Sequence, residues 1–144
     1  MIRRTLTPIL AALALSITLA ACQSGQTPAG EGGSGVEDTA VQFMEAFAVG
    51  DDATMCELAD REVGDCTESS GVEVEEGPTA GETFENEETG TTAVIVTYTA
   101  AERPDRPYAY AVEVKEDGKV TAWEDMSGQP KNRETVAMVL EWSE

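Results

Sequence analysis

The chain has 144 residues, of which 28 are acidic, nine are basic and none is histidine, so its formal net charge is −19 at pH 7. Such an excess of negative charge argues against binding to nucleic acid or to an anionic membrane surface, because both interactions depend on basic residues. Without histidine the chain lacks the usual general base near neutral pH, imidazole metal ligands and any imidazole-based catalytic triad. We therefore expect no nucleic-acid partner, no metal and no cofactor.

The first 21 residues have the pattern of an export signal. Arg3 and Arg4 provide a basic start, and residues 9–21 are apolar except for two hydroxyl side chains. This segment is shorter than the roughly 20 apolar residues of a membrane-spanning helix and has the length of a signal-peptide core. The sequence predicts a removable signal over residues 1–21 and export by the general secretory route.

The end of this segment, Leu19-Ala20-Ala21-Cys22, resembles the lipobox of bacterial lipoproteins. The resemblance implies that the Cys22 thiol carries a diacylglyceryl group and that the signal is cut just before it, which would hold the protein outside the cytoplasm on the cell membrane. Two acyl chains, at about 0.8 kcal/mol per buried methylene, make a durable anchor. The alternative is an ordinary secreted protein that happens to have a cysteine near its cleavage site.

Cleavage there would leave seven basic residues, because Arg3 and Arg4 are removed, against all 28 acidic ones, which is a formal charge of −21. Residues 22–35 then comprise the lipidated cysteine and a stretch rich in glycine and serine that cannot bury apolar surface. As a flexible coil, this stretch would hold the domain roughly 20 Å from the bilayer. A single folded domain is expected over residues 36–144.

That domain begins with two predicted helices. The first has an amphipathic face, with Asp38 expected to cap its start and Gly50 to end it, and the face consists of Ala40, Phe43, Met44 and Phe47. Asp51 or Asp52 then caps a shorter helix, whose apolar positions are Met55, Leu58 and Ala59. This helix–Gly-Asp–helix opening resembles nuclear transport factor 2-like domains. The resemblance implies an α+β, cone-shaped fold in which N-terminal helices pack on a curved antiparallel sheet.

Cys56 and Cys66 lie ten positions apart. Two cysteines that remain after the anchor in an exported protein are expected to form a disulfide, which would fix the loop of residues 59–65 to the second helix. A loop of this length would contribute roughly 2.5–3 kcal/mol in the chain-entropy model. A redox or metal-binding pair is the alternative, but the Cys-x-x-Cys spacing and histidine partners are missing.

The strands follow an acidic segment over residues 69–90. Val72 and Val74 alternate with glutamates as on an edge strand, and Phe84 marks a second short strand. We interpret the acidic residues as a solvated face; a calcium site is the alternative, although the ordered Asp-x-Asp-x-Asp-Gly loop is absent from the sequence. Alternating patterns then predict strands over residues 93–100 and 108–115.

Asp117-Gly118 predicts a two-residue hairpin turn, which sets the pairing of the last two strands. In that register Val114 faces Thr121, Val112 faces Trp123 and Tyr110 faces Asp125. The inner surface toward the first helix would then consist of Val94, Val96, Tyr98, Tyr110, Val112, Val114 and Trp123. Residues 133–142 have helical spacing, but their β-branched content leaves a final strand open.

Three functions are compatible with this pattern. A catalytic site in the cone would use Asp125 as a base with Tyr98 and Tyr110 steadying an oxyanion. A binding module would hold a small apolar ligand between Tyr98, Tyr110, Val112 and Trp123. The third function, which demands least of the sequence, is a non-catalytic accessory or protein-interaction domain that presents its acidic surface to a basic protein partner.

Overall fold

The structure, a computed structural model, describes residues 35–64 and 66–143. The predicted signal, the lipobox with Cys22 and most of the tether therefore lie outside the described residues. In chain order the elements are helices α1 (Gly35–Val49) and α2 (Asp52–Leu58), strands β1 (Val74–Asn86), β2 (Thr91–Ala100), β3 (Tyr108–Val114) and β4 (Val120–Asp125), and helix α3 (Arg133–Val139). This composition confirms the α+β class.

The four strands form one antiparallel sheet in the order β1-β2-β3-β4, so each strand pairs with its neighbour in the chain. Helix α1 covers one face, where Phe43, Met44 and Ala40 are fully buried. They pack on the inner surface predicted from the alternation, including Val94, Val96, Tyr98, Val112 and Val114, with Tyr110 and Trp123 half-buried at its margin. The predicted contact between the first helix and this face of the sheet is confirmed.

The opposite face of the sheet has its own apolar cluster. Ile95, Ala111 and Met126 are buried there together with Val136 of α3. The Asn132 side chain caps α3 by accepting a hydrogen bond from the Thr135 backbone N–H at 2.9 Å. Because a cap and a buried helical face are both present, the C-terminal segment, for which helix and strand were both open, is a helix.

The junction between α1 and α2 follows the predicted signals with one correction. Gly50 has a φ of +83°, which glycine adopts without a steric penalty, and the Asp51 N–H donates to Ala46 O at 2.8 Å to close the helix end. Asp51 then caps α2 through Thr54 N–H at 3.2 Å. The prediction that Asp38 caps α1 is wrong: the helix starts at Gly35, because Val36 also packs on the core, and Asp38 lies in the first turn.

The β3–β4 hairpin has the predicted pairs Tyr110 with Asp125 and Val112 with Trp123, but not the predicted turn. The Gly118 N–H donates to Lys115 O at 2.9 Å and Gly118 has a φ of +82°, so the turn contains one residue more than expected. A bulge at Thr121 absorbs the extra residue, and Val114 pairs with Val120 instead of Thr121.

The segment that precedes β2 also differs from the prediction. Two short strands were expected around Val74 and Phe84, whereas the structure has the single 13-residue edge strand β1. Three irregularities in its pairing with β2 interrupt the alternation of side chains, which explains why the sequence pattern suggested two strands. The glutamates of β1 are exposed, as a solvated edge requires.

The predicted disulfide is confirmed. Cys56 in α2 and Cys66 are bonded, with their Cα atoms 5.1 Å apart. The bridge fixes the chain that leads from α2 toward β1. Asp60 within this connection forms a salt bridge with Lys115 at 2.9 Å, and its backbone N–H donates to Val120 O at 2.7 Å, so the connection is also held to the β3–β4 hairpin.

Candidate functional site

The interface between α1 and the sheet is packed with aromatic rings. The ring centroids of Phe43 and Trp123 are 4.7 Å apart, and those of Phe47 and Tyr110 are 5.0 Å apart. Val112 is fully buried and the Tyr98 side chain is 2% exposed. Two of the four residues considered for a ligand pocket, Tyr98 and Val112, are thus core residues, whereas Tyr110 and Trp123 reach the surface.

Where these two aromatic residues reach the surface, they line an open groove of about 440 Å³. We call it the aromatic groove, and its walls are three aromatic residues and three acidic residues beside Ala122: Phe47, Tyr110, Trp123, Glu68, Glu124 and Asp125. Its walls come from the last turn of α1, from β3, from β4 and from the loop after Cys66. The three acidic side chains belong to exposed residues.

The loop that carries Glu68 is fixed against α1. The Ser70 N–H donates to Phe47 O at 2.8 Å, and the Val72 N–H donates to Ala48 O at 2.6 Å. These bonds satisfy carbonyl groups near the C-terminal end of α1, which have no partner within the helix. Together with the disulfide at Cys66, they hold one wall of the aromatic groove in place.

Asp125 lies at the end of β4, on the rim of the groove. Its Oδ1 accepts a hydrogen bond from the Ser127 backbone N–H at 2.7 Å, and the Ser127 hydroxyl in turn accepts one from the Ala109 N–H at 3.0 Å. Asp125 is exposed. It therefore lies at the surface and not in the packed interior between α1 and the sheet, where a catalytic base inside the cone would have to lie.

The two tyrosines of the proposed catalytic group stay protonated at ordinary pH. Burial raises the pKa of Tyr110 to about 12, and the negative charge of Asp125 acts in the same direction. Burial also raises the pKa of Tyr98, with smaller contributions from Tyr110 and Tyr108. Because both pKa values are raised, each residue has a neutral hydroxyl group at ordinary pH. The Tyr98 and Tyr110 rings are nearly parallel, with centroids 6.3 Å apart.

The Tyr98 hydroxyl has no hydrogen-bond partner of acceptable geometry among the described residues. The side chain of Ser70 lies near enough to lower its pKa slightly, and the charge of Asp125 is near enough to raise it. The hydroxyl is thus a buried polar group whose neighbours include Ser70, Tyr110 and Asp125.

The other acidic region, along β1, has a different character. Its glutamates are exposed and spread along a strand of 13 residues. Within the described ranges, no group of three or more acidic or cysteine side chains is arranged to hold a metal ion. The exposure of these glutamates is what a solvated face requires.

The structure brings together Tyr110, Trp123 and Asp125 of the residues singled out from the sequence. It adds Glu68 and Glu124, which no pattern in the sequence indicated, and Phe47, which the helical periodicity assigned only to the core. Phe47 reaches the groove because α1 packs on the sheet, and Glu68 reaches it because the chain after Cys66 is hydrogen-bonded to α1.

No protein-family model, curated protein or solved structure matches this chain. Among the residues that the structure describes, no helix has the length and apolar character needed to cross a bilayer. The function therefore has to be inferred from the sequence and from the geometry of the aromatic groove.

Proposed function

We propose that this protein is a lipid-anchored, extracytoplasmic accessory domain that binds a basic protein partner through its acidic outer surface, without catalysing a reaction. The observation that carries the proposal is the packing of the inner face. Phe43 and Met44 of α1 fill the space against Val94 and Val112, so the surface is the part of the domain left for binding. A base at Asp125 would need burial that this exposed residue lacks.

The anchor rests on the lipobox-like residues 19–22 and the apolar segment before them. The Cys56–Cys66 disulfide supports an extracytoplasmic location, because such bonds form and persist mainly in oxidising compartments. The net charge supports a lipid anchor over electrostatic adsorption, since a strongly acidic chain is repelled by an anionic membrane surface.

We further propose that the fold is of the nuclear transport factor 2-like type. The support is the position of α1 across one face of an antiparallel sheet, together with the irregularities in β1 and β4, which bend strands. An experimental structure in which the sheet is flat, or in which α1 leaves this face, would contradict the assignment.

The anchor can be tested with cysteine variants of the full chain expressed in bacteria. We expect the native chain in the membrane fraction, with an N-terminal peptide that starts at Cys22 and carries the mass of a diacylglyceryl group. Cys22→Ser should lose both properties. The matched control is the double variant Cys56→Ser/Cys66→Ser, which removes other cysteines and should keep the lipid. A native chain that is soluble, or whose mature form starts elsewhere, would refute the anchor.

The partner chemistry can be tested separately with a deca-lysine peptide. The purified full chain should bind it, and the affinity should fall steeply between low and physiological salt, because exposed charges are screened over about 8–10 Å. Binding that is absent at low salt would refute the proposal that the acidic surface recognises a basic protein.

A further inference from the structure

We propose that the aromatic groove binds an arginine side chain of the partner protein. This inference rests on the proposed function and adds to it the site of recognition and the residue that is recognised. The groove combines aromatic side chains, whose rings attract cations, with carboxylates, which accept hydrogen bonds from a guanidinium group.

The molecule already builds this arrangement with its own residues. The Arg103 guanidinium carbon lies 4.3 Å from the centroid of the Tyr108 ring. The Tyr108 hydroxyl donates to Glu102 Oε1 at 2.6 Å. One half-buried aromatic side chain is thus covered by an arginine and linked at its polar end to a glutamate.

A second copy of the arrangement lies on the opposite face of the sheet. The Arg133 guanidinium carbon is 5.8 Å from the ring centroid of Trp142, and the Trp142 indole N–H donates to a carboxylate oxygen of Glu113. The other oxygen of Glu113 accepts from the Thr121 hydroxyl at 2.8 Å. Again a half-buried aromatic ring has both an arginine and a glutamate as neighbours.

The aromatic groove has the rings and the carboxylates without the arginine. No lysine or arginine lines it, and the salt bridge found among the described residues, between Lys115 and Asp60, lies elsewhere. Arg103 is near enough to lower the pKa of Tyr110 slightly, but its guanidinium group lies over Tyr108. The groove therefore has an unmatched negative charge beside half-buried aromatic surface.

The chemistry favours arginine over lysine and over a small free cation. A guanidinium group is planar, stacks on aromatic rings and can bond two carboxylate oxygens at once, whereas an ammonium group is a compact and strongly hydrated charge. The two carboxylates of β4 are exposed, so the groove is open to solvent. Sites for free small ligands enclose most of the ligand, whereas an open groove suits a side chain that a larger partner delivers.

The test compares two tripeptides of nearly the same shape, one with a charged side chain and one with a neutral side chain. Acetyl-Gly-Arg-Gly-amide and its citrulline analogue, a neutral isostere of arginine, are titrated into the purified full chain in detergent micelles, and binding is measured calorimetrically. We expect the arginine peptide to bind about tenfold more tightly than the citrulline peptide, because only the charged group gains the cation–π and carboxylate contacts.

The variant that tests the groove is Glu124→Gln/Asp125→Asn. Both residues are exposed, and asparagine can still accept the bond from Ser127 N–H, so the fold should be retained, which thermal unfolding can verify. The matched control is Glu87→Gln/Glu88→Gln, which removes the same charge from exposed residues in the β1–β2 turn. The groove variant should weaken arginine binding at least about fivefold and the control less than about twofold.

Several outcomes would overturn the inference: equal binding of the arginine and citrulline peptides, equal effects of the two double variants, or tighter binding of tetramethylammonium than of the arginine peptide. The deca-lysine measurement separates this failure from failure of the proposed function. If the chain binds deca-lysine but not the arginine tripeptide, the proposed function stands and the arginine site is refuted. A chain that binds neither would refute both.

Discussion

Replacing Phe43 with alanine should strongly destabilise the domain. The Phe43 side chain is fully buried between α1 and the sheet, and its ring lies 4.7 Å from that of Trp123. Truncation of a buried phenylalanine to alanine costs about 3–5 kcal/mol, from the lost transfer free energy and the cavity left behind. A domain of about 110 residues has a total unfolding free energy of about 5–16 kcal/mol, so the loss would be a large fraction of it.

The assay is urea unfolding of the full chain followed by circular dichroism. A loss of about 4 kcal/mol should lower the midpoint by about 2–3 M urea for a domain of this size. Val49→Ala is the matched control, since Val49 is on the same helix but 61% exposed, and its effect should stay within about 0.5 kcal/mol. If Phe43→Ala lowered the unfolding free energy by less than about 1 kcal/mol, this would contradict the tight packing of α1 on the sheet. It would also contradict the inference that the partner binds at the surface of the domain.

Three further predictions follow from contacts elsewhere in the domain. Cys56→Ser/Cys66→Ser should lower the unfolding free energy by roughly 2.5–3 kcal/mol, measured by urea unfolding, and reducing agent should then have no additional effect; an unchanged midpoint would contradict a stabilising role for the bridge. Burial raises the folded-state pKa of Tyr110 to about 12, so its contribution to stability is complete below pH 10 and is lost as the pH rises toward 12. Phenolate absorbance should show that Tyr110 ionises well above pH 10 in the folded protein. Ionisation near pH 10 would disagree with its burial. The hydrogen bond from the Glu62 backbone N–H and then the bond from Lys115 lower the pKa of Asp60 below 3.8, and Asp60 in turn raises the pKa of Lys115 above 10.5. The stabilising effect of these contacts should therefore fade below pH 3.8, and that of the salt bridge again above pH 10.5. Asp60→Asn should flatten both changes, whereas an identical pH profile of stability in this variant would argue against the contact.

The parts of the fold that were predicted from the sequence depend on local periodicity. The apolar face of α1 has helical spacing, and β2 and β3 alternate regularly, so their contacts followed from the sequence. The pairing of Val112 with Trp123 was also predicted, because apolar residues had to share a face. The end of α1 at Gly50 followed from the preference of glycine for positive φ.

Features that depend on packing beyond the local pattern were missed. The bulge at Thr121 changes the pairing of Val114, although the turn signal Asp117-Gly118 is strong. It leaves the rest of the register intact because one strand simply gains an extra residue. Helix α1 begins earlier than its capping signal because Val36 gains contacts with the core, which a sequence pattern does not reveal.

The aromatic groove could be predicted only in part. Strand register paired Tyr110 with Asp125 and placed Tyr110 and Trp123 on one surface of the sheet. The two sites expected from the sequence also contained Tyr98 and Val112, which are buried in the core. Glu68 has no recognisable pattern around it, and its position depends on the disulfide and on the hydrogen bond from Ser70 to α1. Glu68 thus comes from a loop whose course is set by tertiary contacts.

The central claim is that binding takes place in the aromatic groove on the surface and not inside the domain. The most direct measurement is a nuclear magnetic resonance titration of the full chain with the arginine tripeptide. We predict shifts of the Trp123 indole and Tyr110 ring signals, while the methyl signals of Val94, Val96 and Val112 stay unchanged because these side chains are fully buried. Shifts of the valine methyl signals without a response of Trp123 would contradict the claim.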